Sequence, residues 1–177
     1  MSDLAVGELI DALVGREVEF LVAGSVAASA HGVTGIVPRD LDIVPATDRA
    51  NLERLLAALN DLGAEPGVDF GEWHQDEHGA FEWIQDGVAR PVQPLDPTRP
   101  ATFDHYFRTP HGQLDVVPIV AGDHAMLRPR AVRLSVDGRQ AWVVRPVDLI
   151  ATLSRPRPKD ASRLSQLRAI AAASVDT

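Results

Sequence analysis

Residues 20–45 read FLVAGSVAASAHGVTGIVPRDLDIVP. The stretch divides into an apolar strand, a Gly24-Ser25 turn entering a helix of small residues, and Asp40-Leu41-Asp42 at the mouth of a second strand. Strand side chains alternate with period two, so Asp40 and Asp42 point the same way. Two carboxylates so arranged suit a hard divalent cation. At the Gly24-Ser25 turn, unpaired N–H groups and the helix dipole favour an anion such as a phosphate. Together these features point to nucleotide chemistry.

The pattern of a hydrophobic residue, Gly-Ser, a spacer and Asp-x-Asp resembles the first motif of the nucleotidyltransferase superfamily of the DNA polymerase beta type. His31-Gly32, the GQLDVV stretch around Asp115 and the tail VDLIATLSRPRPKDASRLSQL are similar to stand-alone nucleotidyltransferases of the AbiEii and MenT toxin group. The resemblance runs from about Glu19 to Ile170, and its first motif is the specific part. It implies an α/β (α+β) nucleotidyltransferase fold, a mixed β-sheet flanked by helices with a short C-terminal helical segment. Residues 1–145 would form the catalytic core and 146–177 a helical segment of the same compact unit.

Outward from the opening stretch, Leu4, Leu9, Ile10, Leu13 and Val14 recur at helical spacing and predict a helix over 3–16, capped by Ser2 or Asp3. Thr47 or Asp48 caps a second helix whose stripe is Leu52, Leu55, Leu56, Leu59 and Leu62, stopped by Gly63. Strands are expected at 81–84, 102–108 and 113–120, the last carrying Asp115. Residues 131–136 and 140–144, joined by Asp137-Gly138, read as a hairpin. Pro146 opens a helix of about two turns, and a final helix runs over 160–173.

The chain has 177 residues, enough for one domain with a sizeable core. It contains no cysteine, which removes disulfides, thiolate nucleophiles and cysteine-ligated zinc. The acidic start reads as a helix and not a signal peptide, and no apolar run approaches a membrane span, so a cytoplasmic protein without a membrane partner is expected. Charge is divided along the chain. Up to Asp115 there are 7 basic and 20 acidic residues, a net −13; from Val116 onward there are 10 basic and 5 acidic, a net +5. A basic second half suits contact with nucleotide or RNA phosphates, or is simply a solvated face.

Within the resemblance, Asp40, Asp42 and Asp115 are the expected catalytic acids and ligands of Mg2+ or Mn2+, with Asp115 on the nucleophile side. Clustered carboxylates of this kind serve two-metal transfer of a nucleotidyl group. Gly24 and Ser25 would hold the triphosphate of an NTP, and Arg157, Lys159 and Asp160 match the family's last motif. Related proteins carry a lysine in the preceding helix where this chain has Leu153 or Ser154, so Arg155, Arg157 or Lys159 would bind the phosphates. The toxin group implies nucleotide addition to a target such as the tRNA 3′ end and restraint by a cognate antitoxin. Two alternatives stand beside it: a small-molecule (aminoglycoside-like) or protein acceptor, and a catalytically silent nucleotide-binding or antitoxin-like module.

His74-Gln75-Asp76-Glu77-His78 matches H-x-x-E-H, a zinc-hydrolase pattern. Flanking Gly71 and Gly79 and the missing apolar periodicity argue for a solvated loop instead. His31 is read as a helix-end residue packing against the turn, and Trp73 and Trp83 as packing groups more readily than base-stacking ones.

Overall fold

The computed structural model describes residues 4–68, 71–75, 81–89, 92–120, 122–153 and 160–173. The first helix, α1 (Val6–Gly15), buries Leu9, Ile10 and Leu13, while Val14 turns outward and is 56% exposed. Ala5 occupies its N-cap position without a side-chain bond. The expected cap, Ser2 or Asp3, lies outside the described residues. Instead the Gly7 N–H donates to Asp137 Oδ2 at 2.8 Å, so a distant turn satisfies one orphan donor of the first turn.

Strand β1 (Phe20–Val22) leads into α2 (Gly24–Ala30), then β2 (Asp40–Pro45) and α3 (Arg49–Asp61). Asp48 caps α3 by accepting from the Asn51 N–H at 3.0 Å, and Leu52, Leu55 and Leu59 form its buried stripe. Gly63 follows with φ +58, as a left-handed helix stop requires. Asn51 is fully buried and acts as a local clamp. Its Oδ1 accepts from the Glu19 N–H at 2.7 Å, and its Nδ2 donates to the Glu19 and Ala46 carbonyls at 2.9 and 2.8 Å.

Three short strands follow: β3 (Glu65–Pro66), β4 (Gly71–Gln75) and β5 (Phe81–Gln85). β4 and β5 pair with Trp73 opposite Trp83. His74 therefore sits on a strand, which removes the helical geometry a zinc H-x-x-E-H motif needs; His78 is outside the described residues. The strand expected over 102–108 begins later, at β6 (His105–Thr109). Pro100–Phe103 forms a 3-10 turn instead, held by the Thr102 hydroxyl donating to the Arg99 carbonyl at 2.8 Å. β7 (Gly112–Val116) is also shorter than the expected 113–120, because Pro118 has no N–H with which to continue the ladder.

A one-turn helix α4 (His124–Leu127) precedes β8 (Val132–Val136) and β9 (Arg139–Val143). Asp137 at φ 48 and Gly138 at φ 76 give their hairpin the left-handed pair of a type I′ turn. The chain ends in α5 (Pro146–Ala151) and α6 (Ala161–Ala173).

Seven strands form one mixed sheet in the order β3-β6-β7-β2-β1-β9-β8, and β4-β5 form a separate ribbon. β2 runs parallel to β7 and β1 parallel to β9; the remaining pairs are antiparallel. Leu21, Leu41, Ile43, Leu52, Leu55, Phe103, Phe107 and Leu114 are fully buried, and Leu149 of α5 and Leu167 of α6 join the same core. No helix among the described residues is long and apolar enough to cross a membrane.

Candidate active site

β7 alternates strictly, and β2 does so over its first four residues. Leu41 and Ile43 of β2, like Leu114 and Val116 of β7, are buried, while Asp40, Asp42, Gln113 and Asp115 occupy the half-buried positions between them. In the parallel register Asp40 faces Gln113 and Asp42 faces Asp115, so all four project from one face. Gln113 Nε2 donates to Asp115 Oδ1 at 2.8 Å and orients that carboxylate. The Asp42 carboxyl is pushed up from 3.8 to about 7, first by burial and then by the charges of Asp40 and Asp115; Arg163 and the Ser25 N–H oppose the rise. Among the described residues, no group of three or more His, Asp or Glu side chains is gathered tightly enough to hold a metal ion.

The turn before α2 is built around Asp42. Gly24 has φ +60, and a Cβ there would lie 1.8 Å from Asp42 Oδ2, so position 24 needs glycine for its backbone and for the approach of the carboxylate. The Ser25 N–H, expected to face a phosphate, lies on the Asp42 side and favours that carboxyl's ionised form. The Ser25 Oγ is buried with no hydrogen-bond partner among the described residues.

Two clefts meet at this turn. One, of about 220 Å³, is lined by Gly24, Ser25, Asp40 and Asp42 on one side and by Leu149, Thr152, Arg163 and Leu167 on the other. The second, of about 510 Å³, runs from Ser25, Asp40 and Arg163 along residues 34–37 to Arg39, Asp160 and Ser162. α6 is tied over this side by Gln166. Its Oε1 accepts from the Thr34 N–H at 3.0 Å, and its Nε2 donates to the Thr34 carbonyl at 3.2 Å.

The solved structure of the lincosamide antibiotic adenylyltransferase LnuA, bound to lincomycin, superposes on this chain with a TM-score of 0.50 at 14% identity, covering 96% of this chain and 99% of LnuA. The fold is that of a nucleotidyltransferase. An antigenic nucleotidyltransferase-like protein from Paracoccidioides brasiliensis is more distant, with a TM-score of 0.42 at 12% identity over 96% of this chain and 78% of the other. No protein-family model and no curated protein matches the chain.

Within the nucleotidyltransferase fold, Gly24, Ser25, Asp40, Asp42 and Asp115 are brought together as a group. Asp160, at the entry to α6, is buried and accepts from Arg163 Nη2 at 2.6 Å. Arg157 and Lys159 lie outside the described residues. His31 is engaged elsewhere: its Nε2 donates to the Val144 carbonyl at 2.9 Å, and burial lowers its pKa. Two residues of the site escaped the sequence reading. Gln113 is signalled only by its alternation with Asp115. Arg163 is signalled by its spacing of three from Asp160 on a helix, which brings the two side chains onto one face.

Proposed function

We propose that this chain is a metal-dependent nucleotidyltransferase, moving a nucleoside monophosphate from an NTP to an acceptor hydroxyl. The observation that carries the reading is the in-register pairing of Asp42 with Asp115, beside Asp40, on one half-open face against the Gly24-Ser25 turn. Oxygen-only donors with a combined charge that burial makes unfavourable fit a hard divalent cation, which relieves the repulsion that raises Asp42. Asp40, Asp42 and Asp115 would hold it by drawing in about it, since as they stand they are not gathered tightly enough for a three-carboxylate site. A bound Mg2+ or Mn2+ supplies polarisation of the α-phosphate and neutralises the leaving pyrophosphate. Asp115, oriented by Gln113, is the group we assign to draw the proton from the acceptor hydroxyl. The Ser25 hydroxyl, without a partner among the described residues, would donate to a phosphate oxygen.

For the acceptor, a small hydroxylated molecule is the reading we favour. LnuA, with which the chain aligns almost end to end, is by its name a small-molecule adenylyltransferase. The alternative is the tRNA 3′ end, with the chain acting as the toxin of a toxin–antitoxin pair. It rests on the toxin-group resemblance and the basic second half. Among the seven described basic residues after Asp115, however, Arg130 and Arg145 pair with Asp148, Arg139 with Asp11, and Arg163 with Asp160. Arginines neutralised in this way make a poor track for a polyanion.

The test is label transfer from each α-labelled NTP, with Mg2+ or Mn2+, into pools of hydroxylated antibiotics, tRNA or protein, beside Asp42→Ala. Label in the first pool that disappears in the variant supports the reading. Label confined to tRNA moves the acceptor to RNA, and turnover unchanged in Asp42→Ala removes the mechanism.

A further inference from the structure

Arg163 stands where the two clefts join. It lines both, together with Ser25 and Asp40, so the three residues form the waist of one continuous trough. Its side chain is only 17% exposed. Asp160, itself buried, holds Nη2 at 2.6 Å and fixes the guanidinium in one orientation. The Nε–H is buried and has no acceptor among the described residues. Such a donor costs free energy unless something arrives to accept from it. The Ser25 hydroxyl, which lines the same two clefts, is also without a partner among the described residues.

We infer that Arg163 is the phosphate-binding cation of this site, gripping the β- and γ-phosphates of the NTP from α6 while Ser25 meets them from α2. The inference rests on the nucleotidyltransferase reading and deepens it. An arginine presents five N–H donors in a planar fork matched to phosphate oxygens. With Nη2 committed to Asp160, the Nε–H is the donor left without a partner among the described residues. Holding the side chain in advance removes much of the entropy that a free arginine would lose on binding. The same cation lies close enough to Asp42 to favour its ionised form. It thus serves a carboxylate cluster that would otherwise repel an incoming polyphosphate. This supplies the phosphate contact from within helix α6, where the resemblance had looked to Arg155, Arg157 or Lys159.

The competing account makes Arg163 only a strut, holding α6 to the sheet through Asp160. Affinity for phosphate-chain length separates the two. Binding of Mg-NTP and Mg-NMP, without acceptor, is measured by calorimetry for the wild type, Arg163→Gln and Arg163→Lys, each checked for its unfolding temperature. The expected result is a loss of NTP affinity of about tenfold or more in Arg163→Gln, a smaller loss in Arg163→Lys, and NMP affinity within about twofold of wild type. Competition by inorganic tripolyphosphate should weaken in parallel. Equal losses for NTP and NMP, or no loss in either variant, would overturn the assignment in favour of the strut. If Arg163→Gln does not fold, NTP and NMP affinities in Arg163→Lys and tripolyphosphate competition in wild type decide it. A wild type that binds NTP but transfers no label would sink the proposed reaction while leaving this inference decided by the binding ratio. A wild type that binds no NTP overturns both.

Discussion

Replacing Asp42 by Asn should make the protein more stable at pH 8 and flatten its response to pH. Asp42 keeps its proton to about pH 7 in the folded state, against an ordinary 3.8. The unfolded chain has already lost that proton above about pH 4. Between the two values the folded state binds more protons than the unfolded one, so stability is greatest at low pH and declines as pH rises. At about 1.36 kcal/mol per pH unit the whole interval is worth about 4 kcal/mol, of which about 2 kcal/mol is lost between pH 5.5 and 8. For a chain of this size about 1 kcal/mol moves Tm by about 2–4 °C, so the wild type should fall by about 4–8 °C relative to Asp42→Asn across that window. Thermal unfolding followed by circular dichroism in EDTA reads this directly. His31 and His124 work in the opposite sense, since burial lowers both and their contribution is lost as pH falls. Taking the difference between the two proteins cancels them. Parallel Tm curves would refute the argument that burial and the neighbouring acids hold Asp42 protonated. Adding Mg2+ at pH 8 should then raise the wild-type Tm and leave the variant unmoved, as expected if the cation takes over the work of the proton.

Gly24→Ala should be destabilising by about 1–3 kcal/mol through its φ of +60 alone, and its Cβ must also displace the Asp42 carboxylate; denaturant melts check the first, and loss of the pH-dependent Tm difference the second. Asn51→Ala leaves the Glu19 N–H and two carbonyls without their partner in a fully buried position, so we expect a loss of about 2–4 kcal/mol in urea unfolding with an unchanged slope. Asp115→Asn removes one of the two like charges facing Asp42, so the wild-type decline in Tm from pH 5.5 to 8 should shrink while nucleotidyl transfer falls at least about a hundredfold. A variant with normal turnover would take Asp115 out of the proposed chemistry.

What could be read from the sequence follows from which signals are local. The Asp40–Asp42 pair, the Asp48 cap and the Asp137-Gly138 turn each depend on residues two to four apart, and all three appear at the expected positions. The register of β2 against β7 is a different matter. Residues 46–111, 66 in all, separate the strands, and the periodicity of each says which residues share a face but not which residue lies opposite which. The error at 102–108 has the same origin. Residues 102–108 read as one strand, but Pro100 and the Thr102 hydroxyl impose a 3-10 turn on the first half. The ribbon of β4 and β5 was only half legible, since Phe81-Glu82-Trp83-Ile84 has strand composition and its partner around His74 does not.

The basic second half is legible as composition, and most of its described arginines are engaged within the fold. Ten basic residues after Asp115 suggested a face for RNA. Folding spends much of that charge internally: Asp148 takes Arg130 and Arg145, and Asp11 from α1 takes Arg139, while Arg128 lies 3.7 Å over the ring of Trp142. Exposed pairs such as Arg139 with Asp11 contribute little to stability, but they remove the arginine from any long-range positive field. Arg163 is paired as well, and what sets it apart is its place. Asp160 holds its Nη2, and its Nε–H, buried without an acceptor among the described residues, belongs to a side chain lining both clefts at the waist of the trough. At the same turn the chain keeps a glycine in a left-handed conformation, a carboxyl that resists ionisation and a serine hydroxyl with no partner among the described residues. Each is unfavourable on its own, and a divalent cation with an anionic ligand would relieve the last two together with the unmet guanidinium donor. A merely structural junction between sheet and helix would have been better served by Asn at position 42 and a hydrophobic residue at 163.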